Sequence, residues 1–143
     1  NLPNSVRFVL PYEKGVLEAV SYTDGMEVSR DRLATTGEPA EIRLIPEKKE
    51  LRADGHDVVF VQIEILDQNG LLVTDAQIPL KAVLSGVGEL SGFGSANPVT
   101  EDNYTQPETY SFRGRATAVI RSGYEQGRAY GGASGNGYYK DAP

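Results

Sequence analysis

The sequence predicts an all-β chain, and three observations carry that prediction. Apolar residues recur at every second position in short runs, the period of a half-buried strand. Asp-Gly and Asn-Gly turn signals separate those runs at short intervals. No helical period survives beyond about two turns. From Ala40 to Tyr130 the runs make roughly six or seven strands in about ninety residues, the size and strand density of an immunoglobulin-like β-sandwich.

The elements follow in order. Val6-Arg7-Phe8-Val9-Leu10, closed by Pro11, is a first short β-rich run. Val16 to Tyr22 and Met26 to Arg30 flank Asp24-Gly25. A type I′ turn needs positive φ at both central positions, which that pair tolerates, so a hairpin is predicted here. Thr35-Thr36-Gly37-Glu38-Pro39 reads as a linker, because proline disfavours helix before it and glycine permits a sharp bend. A domain boundary is expected at this point. Residues 1–36 would be the closing strands of a preceding immunoglobulin-like domain, or an N-terminal extension, and residues 37–130 the sandwich.

Ile42 to Pro46 opens the new sheet, and Glu47 to Gly55 is charged and turn-rich. Val58 to Leu66 is the best strand. Val59, Val61, Ile63 and Ile65 share one apolar face and Gln62 and Glu64 the other, so it is expected to lie centrally. Asp67-Gln68-Asn69-Gly70 is a turn. Ile78 to Leu84 is a strand with Pro79 near its start, where a missing donor costs least. A short strand follows at Glu89 to Phe93, then a long polar loop from Gly94 to Thr109. Phe112 to Arg121 alternates again, with Phe112, Ala116, Ala118 and Ile120 inward and Arg113, Arg115, Thr117 and Arg121 outward. Arg128-Ala129-Tyr130 is a last strand. Residues 131–143 open on a glycine-rich run with few side chains to offset its ordering cost, so a flexible tail is expected, with Tyr138 and Tyr139 as local anchors.

Composition narrows the function classes. The 143 residues carry 20 acidic and 14 basic side chains, a formal net charge of −6. That balance argues against nucleic acid or an anionic membrane surface, both of which need clustered cations. No stretch approaches the ~20 apolar residues of a membrane span. There is no cysteine, which excludes disulfides and thiolate metal sites, and a single histidine, His56, excludes a histidine-rich zinc site. No cofactor is expected. A chain that starts at Asn1 is expected to be a processed or excised piece, and it shows no signal segment.

A family resemblance adds to this reading. Pro11-Tyr12-Glu13-Lys14-Gly15-Val16-Leu17-Glu18-Ala19-Val20-Ser21-Tyr22 followed by Asp24-Gly25, then Thr35-Thr36-Gly37-Glu38-Pro39-Ala40, resembles the junction between two C-terminal domains in bacterial β-galactosidases of glycoside hydrolase family 2. Ile42-Arg43-Leu44 fills the opening of the second of these domains, Arg52-Ala53-Asp54-Gly55-His56-Asp57-Val58-Val59-Phe60-Val61 and Glu64-Ile65-Leu66-Asp67-Gln68-Asn69-Gly70-Leu71-Leu72-Val73-Thr74-Asp75-Ala76 are similar to a following stretch of it, and Ser85-Gly86-Val87-Gly88-Glu89-Leu90 resembles a further motif of it. The likeness runs from about residue 6 to residue 130. It implies an accessory immunoglobulin-like domain, bacterial and periplasmic or extracellular, attached to an enzyme whose separate barrel hydrolyses β-galactosides with two carboxylates. No residue here would inherit a catalytic role, and the expected partners are the enzyme's other domains. Ala53 to Gly70 also resembles stalk modules of bacterial surface adhesins.

Glu41, Glu64, Asp67 and Asp75 are available as a carboxylate pair but are read as strand and turn positions, since acid–base work needs a cleft. His56 reads as a turn residue. Asp67-Gln68-Asn69-Gly70 resembles the start of a calcium loop, yet position twelve of such a loop is Ile78 rather than a glutamate. Gly86-Val87-Gly88 and Gly92-Phe93-Gly94 read as bends, because no Lys-Ser/Thr and no helix follows. The remaining candidate is carbohydrate contact. Tyr104 and Tyr110, with Asn103 and Gln106, would offer an aromatic face beside hydrogen-bonding groups.

Overall fold

Asp24 and Gly25 both take positive φ, 51° and 79°, and between them turn β1 (Val16–Thr23) into the antiparallel β2 (Met26–Ala34). The open end of this hairpin is closed by Thr35, whose N–H donates to the Gly15 carbonyl at 2.8 Å and whose Oγ1 accepts the Gly15 N–H at 3.1 Å. Arg30 bridges Glu18 and Glu27 on one face. Leu17 stands opposite Leu33, and both are exposed. Val6 to Leu10 forms no strand and is exposed. A β-rich run becomes a strand only when another backbone takes up its N–H and C=O groups, and none does so among the described residues. The computed structural model describes residues 5–135 and 137–142, the last five by backbone alone.

The chain divides into two compact units, Asn1–Thr35 and Thr36–Pro143. The second contains β3 (Glu41–Pro46), β4 (Val58–Leu66), β5 (Pro79–Gly86), β6 (Glu89–Gly94), β7 (Glu108–Tyr110), β8 (Arg115–Arg121), β9 (Ala129–Gly135) and β10 (Tyr138–Ala142). They build two four-stranded sheets, β3-β4-β8-β6 and β10-β9-β5-β7, antiparallel at every pairing. This is an all-β sandwich. β4 lies inside its sheet, as its fully apolar face requires. Val59, Val61, Ile63 and Ile65 pack with Ile42 and Phe93 from the same sheet and with Leu80, Ala82 and Ala133 from the other. Ser111, just after β7, fastens that strand's end to the segment that leads into β5. Its buried hydroxyl accepts the Ile78 N–H at 2.9 Å and donates to the Ala76 carbonyl at 3.0 Å.

Two loop expectations change. Phe112 stands apart from β8, because Arg113 and Gly114 take positive φ, 52° and 72°, and make a tight turn before Arg115. The polar loop after β6 ends at Pro107, since Glu108–Tyr110 pairs with the start of β5.

Where a flexible tail was expected, residues 131–135 and 138–142 are strands. Residues 131–135 complete β9, paired with β5 on one side and β10 on the other. Ladder bonds on both edges, rather than side chains, meet the ordering cost. Small residues are required at two points. Ala133 is fully buried, and a Cβ on Gly135 would stand 2.5 Å from the Pro79 carbonyl oxygen. The anchoring side chains of Tyr138 and Tyr139 lie outside the described residues. Gly131 differs from Gly135. The nearest atom to a Cβ placed there is Ile120 Cδ1 at 3.9 Å. Gly131→Ala is therefore expected to stabilise the protein by about 0.4–1 kcal/mol, by lowering the entropy of the unfolded chain. Chemical denaturation of the two proteins measures this, and a lower midpoint for the variant would contradict it.

Candidate functional site

Two of the four carboxylates named from the sequence, Glu64 and Asp67, are engaged in structure. Glu64 projects from the outer face of β4, where strand register sets Arg43 of β3 on one side and Arg115 of β8 on the other. Arg43 Nη2 binds Glu64 Oε2, Arg115 Nε donates to Oε1 at 3.3 Å, and Gln62 Nε2 donates to Oε1 at 3.1 Å. The two arginine side chains cover the carboxylate, which leaves Glu64 only 6% exposed although its face is outward. Asp67 is 1% exposed and accepts the N–H groups of Gly37, Asn69 and Leu71 at 2.8–2.9 Å. It thereby caps its own turn and holds the linker glycine. Both carboxylates are committed to structural partners, and neither is open to a substrate. Glu41 and Asp75 are exposed. His56 is exposed, its N–H donating to Asp54 Oδ1. Among the described residues no three His, Asp or Glu side chains converge on a metal position.

These contacts set a pH dependence. The Arg43 guanidinium, then Arg115, holds the Glu64 carboxyl below its ordinary value of 4.5 against the opposing effect of burial. The Gly37, Leu71 and Asn69 amides hold Asp67 below 3.8. A carboxyl whose pKa is lower folded than unfolded adds stability that is complete above the unfolded value and lost as pH falls through the folded one. Stability should therefore decline from about pH 5 downward. Glu64→Gln keeps the shape but not the charge. It is expected to cost about 1–3 kcal/mol at pH 7 and to flatten that acid slope. Urea unfolding at pH 7 and pH 3 checks both parts, and an unchanged slope would sink the assignment.

The four carbohydrate candidates divide between two places. Asn103 and Gln106 line a shallow recess of about 460 Å³ with Glu101, Asp102, Pro107 and Glu108. Neither tyrosine lines it. Asn103 Oδ1 is taken by the N–H and hydroxyl of Thr105, which makes the bend. Tyr104 lies against β6: its ring atoms would stand 2.1 Å from a Cβ on Gly94, and its carbonyl accepts the Phe93 N–H at 2.7 Å. Tyr104 remains 51% exposed, and Tyr110, on β7, 54%. The contact the sequence did not reveal is Asp102 Oδ2 accepting the buried Thr109 hydroxyl at 3.0 Å, which ties the loop to β7. Only the short spacing of an acid and a threonine hints at it.

Residues 42–140 match the family described as glycoside hydrolase family 2 C-terminal domain 5. The chain belongs to that family. As a family 2 C-terminal domain, it is 32% identical over 124 residues to a β-galactosidase of Bacteroides ovatus, covering 87% of this chain and 15% of that enzyme. Among solved structures it is similar to a glycosyl hydrolase family 2 member from Bacteroides cellulosilyticus, with a TM-score of 0.87 at 30% identity over 93% of this chain and 18% of the other. A β-glycosidase from Bacteroides vulgatus gives 0.84 at 27% identity, over 94% and 18%. The chain thus spans less than a fifth of each of these relatives. The expected relationship to the family 2 enzymes holds, and so does the all-β sandwich.

Proposed function

We propose that this family 2 C-terminal domain is a non-catalytic accessory module of a bacterial β-galactosidase, in which a separate domain hydrolyses β-galactosides. The carrying observation is the pattern of coverage: 87% of this chain aligns with 15% of a β-galactosidase of Bacteroides ovatus. The consumption of Glu64 and Asp67 by arginines and backbone amides supports a structural role. On the same reading, residues 1–36 are the closing hairpin of a preceding immunoglobulin-like domain. An isolated two-stranded hairpin is marginal in water, and Val16, Leu17, Val28 and Leu33 are all more than half exposed, as strands with a missing partner sheet would be.

The test is to produce the remainder of the enzyme with and without this chain. Restored thermal stability or a stable complex on gel filtration supports the module, with turnover of a chromogenic β-galactoside confined to the remainder. Turnover by this chain alone would overturn it.

A further inference from the structure

Three loops meet at one end of the sandwich: residues 47–57 between β3 and β4, 87–88 between β5 and β6, and 122–128 between β8 and β9. Backbone bonds knit them together. Gly55 N–H donates to the Gly123 carbonyl at 3.1 Å, Ser122 N–H to Asp57 at 2.8 Å, and Val87 N–H to Arg128 at 3.1 Å. The Tyr124 ring lies against the buried Gly55, where a Cβ would meet it at 2.4 Å. Between these loops is a cleft of about 770 Å³, within the ~300–1,000 Å³ usual for ligand sites.

Its lining is mixed in a particular way. Tyr130 contributes a ring that is 50% exposed. Lys49, Arg52 and Arg128 supply donors, Glu50 and Glu125 supply acceptors, and Gln126 supplies both. Ser122 also lines the cleft, is only 9% exposed, and its buried hydroxyl has no hydrogen-bond partner among the described residues. Such an orphan carries a standing desolvation cost within the fold.

We propose that this cleft binds a neutral pyranose unit of a glycan chain. A sugar ring has an apolar face that covers an aromatic ring, and hydroxyls that both donate and accept. That is the combination of Tyr130 with interleaved donors and acceptors. A phosphorylated or polyanionic ligand would meet Glu50 and Glu125, and a wholly apolar one would strand five charges. The site is distinct from the loop that bears Tyr104 and Tyr110, and it adds to the accessory role without requiring it.

Affinity electrophoresis of the whole chain tests this, in gels carrying soluble galactan, xylan, mixed-linkage β-glucan, polygalacturonate or no polymer. Retardation by at least one neutral polymer is expected. Tyr130→Ala and Arg128→Gln should each weaken it about tenfold, while Tyr130→Phe and Tyr104→Ala retain it. Arg128→Gln is a surface change and carries the test if Tyr130→Ala proves unfolded by circular dichroism. Retardation by no neutral polymer overturns the site, as does retardation by polygalacturonate only. Loss of binding in Tyr104→Ala with Tyr130→Ala unaffected also overturns it, by moving the site to the other loop.

Discussion

Phe93→Ala is expected to lower stability by about 3–5 kcal/mol. Phe93 is 1% exposed in β6 and is the largest fully buried side chain among the described residues. Its neighbours are β-branched and small residues held by strand pairings on both sheets, so the space it leaves cannot collapse easily. For a unit of about one hundred residues each kcal/mol moves Tm by roughly 4–8 °C. The fall should be on the order of 15 °C or more, against a total stability of about 5–15 kcal/mol. Thermal unfolding followed by circular dichroism measures it. Phe93→Leu, which keeps most of the volume, should cost under about 2 kcal/mol. A fall of only a few degrees for Phe93→Ala would mean that β6 yields around the gap.

Gly86→Ala comes next in size, for two separable reasons. Gly86 sits at φ +90°, a conformation L side chains rarely adopt, and a Cβ there would lie 2.1 Å from the Arg128 carbonyl oxygen. That oxygen is backbone and already accepts the Val87 N–H, so it cannot step aside without breaking the bond between two loops. The expected cost is about 3 kcal/mol or more, the sum of left-handed strain and displaced backbone. Gly70→Ala, in the same unit, serves as the internal comparison. Gly70 has φ +76° but nothing within 4 Å of a Cβ, so only the conformational part, about 1–2 kcal/mol, remains. Equal melting temperatures for the two variants would show that the Arg128 contact contributes nothing.

How far the fold was legible depends on whether local chemistry decided it. β4 was legible because each residue's face follows from a period of two, and because an all-apolar face has one place to go. The β1–β2 turn was legible because Asp24-Gly25 answers a backbone demand. β9 was not, since Gly131 to Gly135 is held by the backbones of β5 and β10, whose identity no side chain in that segment encodes. The error at Val6 to Leu10 is its mirror image, with strand-forming side chains but no partner backbone. Candidate sites behave similarly. The outward direction of Glu64 was readable, but its burial depends on a register that sets Arg43 and Arg115 beside it. Tyrosine content pointed to rings near Tyr104. It could not say that Tyr104 lies along Gly94 or that Tyr130 lines a cleft at the other set of loops.

The strand order of the second sheet also bears on synthesis. β5 lies between β7 and β9, and β10 is added on the far side of β9, so this sheet is not complete until β9 and β10 have left the ribosome. Until then the apolar face of β4, from Val59 to Ile65, is opposed by β5 and the short β7 alone. Pairings this distant in sequence are slow to form, on the order of milliseconds to seconds. Until those strands emerge this unit is therefore an incomplete sandwich, and its folding is a single event that waits for β9 and β10.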